Sequence, residues 1–139
     1  MKKLSLLIAL GSFVFLSIAK PEVNVSQFDA YSKSMNEMSA KYIAEKKFDN
    51  AAMIIDKWMT SYDALPQKVR PEYNAIYASI MYNRAVAYAQ TNEAYKALKS
   101  LKEAVKAGFN NASQAENDPN LAKLKAYDEF NKILSSIKA

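Results

Sequence analysis

Cysteine and histidine are both absent from the 139 residues of the chain. Their absence excludes disulfides, thiolate nucleophiles, Cys/His metal sites and imidazole acid–base catalysis. The groups that remain for chemistry are carboxylate, lysine, tyrosine and hydroxyl groups, all of which are common on ordinary protein surfaces. We therefore expect neither a bound metal nor a cofactor.

Residues that form tight turns are also scarce, with only two glycines and four prolines in the chain. Folds with many strands and hairpins need more turn residues than this. Alanine, lysine, leucine, methionine and glutamate are plentiful, and these residues favour helices. The composition predicts an all-α fold, and the length is that of one domain.

The amino end has the pattern of an export signal. Two lysines precede a short apolar run that ends at Ile18 and is followed by Ala19. A basic start, an apolar run and small residues before a cleavage point are typical of a secretory signal peptide. We predict that residues 1–19 are a signal peptide, that 20–25 form an extended leader, and that the protein is periplasmic or secreted. The alternative is an uncleaved membrane anchor, although a spanning helix needs about 20 apolar residues.

Apolar residues recur at alternating steps of three and four through the rest of the chain, which indicates helices with one buried face. We predict a single helical-repeat domain over residues 26–139. It divides into a first hairpin (26–62), a loop (63–70), a second hairpin (71–107) and a capping tail (108–139). Pro71 suits the first turn of the third helix, and Gly108 suits a left-handed cap after the fourth. Thr91 and Asn92 are expected to cap the start of the fourth helix.

The second hairpin resembles a tetratricopeptide repeat. The segment from Tyr82 to Tyr88 matches the first helix of that motif, with small Ala85 and aromatic Tyr88 in its contacts between turns. Ala97 and Ala104 match the spacing of the second helix. Small residues at these positions let two antiparallel helices approach closely.

The first hairpin follows the same motif with departures. Ala51 precedes Ala97 by 46 residues, whereas the family repeats every 34 or so. Ser39 and Trp58 stand where the second hairpin has small alanines. The additional residues of the longer period fall in the proline-containing loop and in a longer third helix.

The tail resembles the ending of bacterial tetratricopeptide proteins, in which an Asp-Pro-led turn and a short closing helix follow the last repeat. Asp118 and Pro119 stand at the start of such a turn. A terminal repeat needs a cover for its outer face. The residues expected to supply it are Leu121, Leu124, Phe130, Ile133 and Leu134. The resemblance implies two helical hairpins in a short right-handed α-solenoid, closed by this helical tail.

For function, the resemblance implies an exported adaptor or scaffold that binds a protein or peptide and performs no catalysis. In such repeats the first helix of each pair lines a groove that holds an extended peptide. The candidate groove residues lie on the first and third helices, outside the apolar face that is expected to be buried. They are Asn36, Ala40, Ile43, Tyr82, Asn83, Val86 and Gln90. Asparagine can pair with a peptide backbone, and aliphatic residues offer apolar contact. The alternative for each residue is ordinary surface, or packing against the tail.

Two other functions fit the sequence. A carrier of a small apolar or aromatic ligand would need a large closed pocket between the hairpins, lined by tyrosine and methionine. A structural subunit of a cell-envelope complex would show a broad exposed apolar face. Two repeats are also fewer than the three or so usual for stability, so self-association is a further expectation.

Enzymatic activity and nucleic-acid binding are not expected. Asp128 and Glu129 are adjacent on a predicted helix, so their side chains point apart and cannot flank a scissile bond. The chain has no glycine-rich phosphate loop and no nucleophile elbow. Lys99, Lys102 and Lys106 share one side of the fourth helix, which we interpret as a solvated face.

Overall fold

The structure, a computed structural model, describes residues 25–138, and every regular element within this range is helical. The elements are α1 (Val25–Ala44), α2 (Phe48–Asp63), a first 3₁₀ helix (Arg70–Tyr73), α3 (Asn74–Gln90), α4 (Ala94–Lys106), α5 (Ala112–Asn117), a second 3₁₀ helix (Pro119–Ala126) and α6 (Asp128–Lys138). The predicted all-α class is confirmed. The predicted signal peptide and most of the leader lie outside the described residues. None of the helices within 25–138 combines the length and hydropathy needed to cross a membrane.

The helix boundaries depart from the predicted ones by a few residues. Val25, expected in the leader, belongs to α1, and α2 continues one residue beyond the predicted hairpin. Pro71 is the second residue of the first 3₁₀ helix and does not lie in α3, which begins only at Asn74. The Arg70 guanidinium closes the preceding loop, because it donates to the carbonyl oxygens of Asp63 (2.7 Å) and Leu65 (3.2 Å).

The two helical hairpins turn by the same backbone path. Lys46 and Asn92 hold corresponding positions, with φ of 59° and 64°. In each turn the N–H of the next residue donates to a tyrosine carbonyl near the end of the first helix, that of Tyr42 at 2.8 Å and that of Tyr88 at 2.9 Å. The two turns are 46 residues apart in the sequence, so the backbone repeats at the spacing predicted from the alanines.

Thr91 does not cap α4 as predicted. Its hydroxyl donates to the carbonyl oxygens of Ala87 (3.2 Å) and Tyr88 (3.3 Å), and so it closes α3 instead. The residue before α4 is Glu93, whose side chain makes no capping hydrogen bond. The left-handed backbone of Asn92 explains the difference, since that conformation ends a helix, whereas a helix start needs an extended one.

An aromatic cluster fills the space between α1, α2 and α3. Trp58 is fully buried, and its ring lies 5.9 Å from Phe28 and 5.0 Å from Tyr62. Tyr62 in turn lies 4.8 Å from Tyr77. The indole N–H of Trp58 donates to the buried hydroxyl of Ser32 at 2.9 Å. Throughout the described range, every buried side-chain nitrogen and oxygen has a hydrogen-bond partner.

The tail folds back over the second hairpin. Gly108 has φ of 113°, as predicted for the residue that ends α4. Asp118 accepts a hydrogen bond from the N–H of Asn120 at 2.8 Å, and Pro119 opens the second 3₁₀ helix, so the predicted cap is confirmed. The second 3₁₀ helix packs on α3, and α6 packs on α4. The residues predicted to cover the hairpin are all buried: Leu121, Leu124, Phe130, Ile133 and Leu134.

An ion pair at one position of the repeat ties each second helix to the helix beside it. Asp56 of α2 pairs with Arg84 of α3 at 2.7 Å. Lys102, which follows Asp56 by 46 residues, pairs with Glu129 of α6 at 3.4 Å. The charges are reversed between the two pairs, but the connection is the same. By this measure α6 stands beside α4 as α3 stands beside α2.

Candidate functional site

Polar side chains join the facing sides of α1 and α3. Ser79 donates to the side-chain oxygen of Asn36 at 3.0 Å. The amide nitrogen of Asn83 donates to the hydroxyl of Ser39 at 2.9 Å. Ser39 is fully buried, and it donates to the backbone oxygen of Asn36 at 2.8 Å. These bonds fix the positions of both asparagine side chains.

The network uses one polar end of each asparagine. It takes the side-chain oxygen of Asn36 and the side-chain nitrogen of Asn83. The amide nitrogen of Asn36 and the amide oxygen of Asn83 take no part in these hydrogen bonds. Both residues are half-buried, so each offers a partner one hydrogen-bonding group in a fixed orientation. A donor and an acceptor are what one peptide unit of a bound chain requires.

A cleft of about 750 Å³ opens beside Asn83, between α3 and the connection from α4 to α5. We name it the amide cleft after the residues that line it. These are Asn74, Ala75, Ala78, Ser79, Tyr82, Asn83, Ala107, Gly108, Phe109, Asn110, Asn111 and Gln114. None of the twelve carries a formal charge, and five have side-chain amides. The volume falls within the range of about 300–1,000 Å³ that is typical of ligand clefts.

Two stacked aromatic rings support the cleft. The rings of Tyr82 and Phe109 lie 4.7 Å apart with an angle of 25° between their planes. The hydroxyl of Tyr82 donates to the carboxylate of Asp118 at 2.8 Å. Burial raises the pKa of Tyr82, and the hydrogen bond to Asp118 raises that pKa further. The phenol is therefore neutral and held in place, which suits a structural support and not a proton donor to a ligand.

The structure brings three of the seven predicted groove residues together. Tyr82 and Asn83 line the amide cleft, and Asn36 contacts Asn83 through the polar network. Ala40 and Ile43 lie on α1 and do not line the cleft. Ala40 is exposed, whereas Ile43 packs partly against the core.

The tail occupies the part of the predicted groove that lies further along α3. Val86 is only 2% exposed. One turn later, the amide of Gln90 donates to the backbone oxygen of Asn120 at 2.7 Å. The groove expected here is therefore not open, because Val86 is buried and Gln90 is bonded to the second 3₁₀ helix, which packs on α3. Packing against the tail, the stated alternative, describes Gln90.

Sequence reasoning missed most of the cleft lining. Asn74 and Ser79 lie on α3, while Asn110, Asn111 and Gln114 lie around the start of α5. The unusual density of amides directly after Gly108 was the available signal. Only the fold brings this segment opposite α3, so the sequence alone could not join the two halves.

The cleft is equipped for hydrogen bonding and apolar contact. Asn111 caps α5, since its side-chain oxygen accepts from the N–H of Gln114 at 2.9 Å, and its amide nitrogen remains outside that bond. Ser79 is already bonded to Asn36, and the one ionisable side chain that lines the cleft, Tyr82, is bonded to Asp118. No group of three or more acidic side chains in residues 25–138 is arranged to hold a metal ion.

Comparison with known proteins gives no match to a family model, to a curated protein or to a solved structure. The tetratricopeptide resemblance accordingly stays a prediction. The functional argument rests on the residues and geometry of this chain.

Proposed function

We propose that the protein is a non-catalytic interaction module, an adaptor or scaffold that binds an extended, uncharged stretch of a protein or peptide in the amide cleft. The observation that carries this proposal is the neutral lining of the cleft, in which five side-chain amides and a serine surround apolar contacts. Amides donate and accept hydrogen bonds as peptide units do, so they can pair with a backbone of any sequence. A neutral lining also gives charged segments no compensation for losing water.

The proposed architecture is that of two tetratricopeptide-type hairpins in a short right-handed α-solenoid. Its support is the repetition of the backbone turn and of the buried residues at a spacing of 46. Ala51 and Ala97 are both fully buried at corresponding positions, and so are Ser39 and Ala85. The larger Trp58 takes the place of a small residue, which accounts for the aromatic packing that is peculiar to the first hairpin.

The carrier of a small apolar ligand is a weaker candidate. It needs an enclosed space lined by tyrosine and methionine, whereas the amide cleft is open and polar. The interior tyrosines and methionines pack on their neighbours: Met81 is fully buried, and Met35, Met59 and Tyr77 pack against the core. The structural subunit has less support still, because the large exposed apolar residues are scattered over different elements: Met38, Met53, Tyr95 and Tyr127.

Export is part of the proposal, and it rests on the sequence of residues 1–19. The test is an intact-mass measurement of the protein recovered from the periplasm or medium of a bacterial host. We expect the mass of a chain that begins at Lys20. A full-length mass in the membrane fraction would support the anchor, and a full-length mass in the cytosol would contradict export.

The binding proposal is tested with a displayed library of random linear peptides, selected on the immobilised protein. We expect the selected peptides to share a stretch without charged residues. Their affinity is then measured by fluorescence anisotropy with the wild type and with Asn83→Ala and Asn110→Ala. Loss of one hydrogen bond in a desolvated site should weaken binding by about tenfold, corresponding to 1–1.5 kcal/mol.

Asn131→Ala supplies the matched control, because Asn131 is an exposed amide of α6 outside the cleft. Its affinity for the selected peptides should equal that of the wild type. If the peptides bind all three variants with the same affinity as the wild type, the binding site lies elsewhere and the amide cleft is rejected. If the selected peptides are rich in charged residues, the proposal that the ligand is uncharged is wrong.

A further inference from the structure

Exposed side chains form a stripe along one side of α2 and another along one side of α4, and the charged residues of the two stripes have opposite signs. The acidic stripe of α2 consists of Asp49, Met53, Asp56 and Asp63. The basic stripe of α4 consists of Tyr95, Lys99, Lys102 and Lys106. The first three members of one stripe precede those of the other by 46 residues, the spacing of the repeat. Only the third of these pairs, Asp56 and Lys102, reverses a charge, but taken as a whole the stripe on α2 is acidic and the stripe on α4 is basic.

Each stripe also carries a large apolar side chain in solvent. Tyr95 is 81% exposed and Met53 is 51% exposed, which makes them the two most exposed large hydrophobic residues in the described part of the chain. Interfaces are enriched in tyrosine and methionine relative to the rest of a protein surface. Both residues stand among charges that would surround an apolar contact, as in the polar rim of an interface.

Contacts within the chain leave much of this charge available. Asp56 and Lys102 are held by ion pairs to neighbouring helices, and Lys106 lies 2.9 Å from Glu103. The carboxylates of Asp49 and Asp63 make no ion pair within residues 25–138, and neither does the ammonium of Lys99. Exposed pairs such as Lys106–Glu103 contribute at most about 1 kcal/mol, so they can rearrange when a partner arrives.

We propose that the acidic stripe of one copy docks on the basic stripe of a second copy, forming a homodimer. A twofold axis would place α2 of each copy against α4 of the other, so that the same contact forms twice. The stripes match in extent, since 14 and 11 residue steps span about 21 and 16 Å along a helix. In each of the two contacts, the carboxylates of one copy would face the ammonium groups of the other.

Charge-swapped variants test this arrangement by sedimentation velocity. One variant carries Asp49→Lys with Asp63→Lys, and the other carries Lys99→Glu with Lys106→Glu. We expect wild-type dimers at low ionic strength that dissociate as salt is added, because exposed charges are screened. Each variant alone should dimerise at least about tenfold more weakly. An equimolar mixture should restore dimers, since each variant then meets its complement.

Lys68→Glu with Lys125→Glu is the control, because both lysines are exposed and lie outside the stripes. It changes the net charge as much as the basic-stripe swap does and should leave dimerisation unchanged. Circular dichroism checks that all variants keep their helices. A wild type that stays monomeric at low salt, or a mixture that fails to recover dimers, overturns the proposal. Monomers that bind anionic lipid vesicles through the basic stripe would assign it to a membrane surface and also overturn the dimer.

Discussion

The phenolic hydroxyl of Tyr82 lies 2.8 Å from the carboxylate of Asp118, and this hydrogen bond connects α3 to the first residue of the tail's Asp-Pro turn. The same carboxylate caps the second 3₁₀ helix through the N–H of Asn120. One side chain thus fixes the start of the 3₁₀ helix and its position on α3. The contact also holds the ring that supports the amide cleft.

Tyr82→Phe removes this hydrogen bond and keeps the ring. We expect it to lower the free energy of unfolding by about 1.5–3 kcal/mol, the range for hydrogen bonds to charged groups. Urea unfolding followed by the fluorescence of Trp58, the only tryptophan, measures the change. Tyr127→Phe is the control, because Tyr127 is 46% exposed. Equal losses in the two variants would show that the bond to Asp118 adds no stability.

Ser32→Ala tests the buried contact with the indole of Trp58. The substitution leaves the indole N–H without its acceptor in a fully buried site. An unsatisfied buried donor costs about 1–3 kcal/mol, and we expect that loss of stability in urea unfolding. Ser34→Ala, at an exposed position of α1, should change stability by less than about 0.5 kcal/mol. A loss at Ser32 no larger than that at Ser34 would contradict the prediction.

Stability should fall in alkaline solution. Burial raises the pKa of Tyr82, Tyr62, Tyr77 and Tyr88 in the folded protein. Above about pH 10 these tyrosines lose their protons more readily in the unfolded chain than in the folded protein. Their contribution to the free energy of unfolding is therefore complete below about pH 10 and is lost as the pH rises above it. Thermal melts between pH 8 and 11 measure the trend. Tyr82→Phe should lose less stability over this interval than the wild type, and an equal loss would exclude Tyr82 as a contributor.

Two substitutions at left-handed positions should act in opposite directions. At Gly108 a β-carbon would meet no atom within 4 Å, so Gly108→Ala tests backbone strain alone. We expect a loss of about 1–2 kcal/mol, since a side chain disfavours positive φ. Lys46→Gly relieves the same strain at φ of 59° and should leave stability unchanged or raise it by up to about 1 kcal/mol. Thermal unfolding of both variants checks the pair, and a destabilised Lys46→Gly would contradict it.

Much of the fold could be predicted from local patterns in the sequence. Helical periodicity located α1 to α4, because a helix with one buried face repeats its apolar residues every three or four positions. Gly108 and the Asp118–Pro119 pair marked the tail correctly, since their conformational preferences are local. Thr91 was misassigned because a threonine beside a turn can bond to the helix before it as well as to the helix after it.

Contacts between distant residues could not be predicted in the same way. No local pattern indicates a partner for Arg84, and only the fold shows that it pairs with Asp56 of the preceding helix. Likewise, no periodicity indicates that Gln90 bonds to the tail, or that Asn110 lies across a cleft from Asn83. Such relationships depend on how the helices pack. Of the predicted groove residues, only Tyr82 and Asn83 line the amide cleft, and the binding groove stays a prediction.

The pairing of Lys102 with Glu129 determines which residue the closing segment of this protein needs on the hairpin before it. A copy of the second hairpin, inserted after Lys106, would present its own lysine at the position that Glu129 recognises. The segment from Gly108 onward would keep its partner at the new end, but Lys102 of the original α4 would then face Arg84 of the inserted copy, so one of these two residues would have to be replaced by an acid. A copy of the first hairpin would instead offer the acid of Asp56 to Glu129, and the end piece would need a basic residue there. The charge at this position thus favours some orders of hairpins over others, by the at most about 1 kcal/mol that an exposed ion pair contributes.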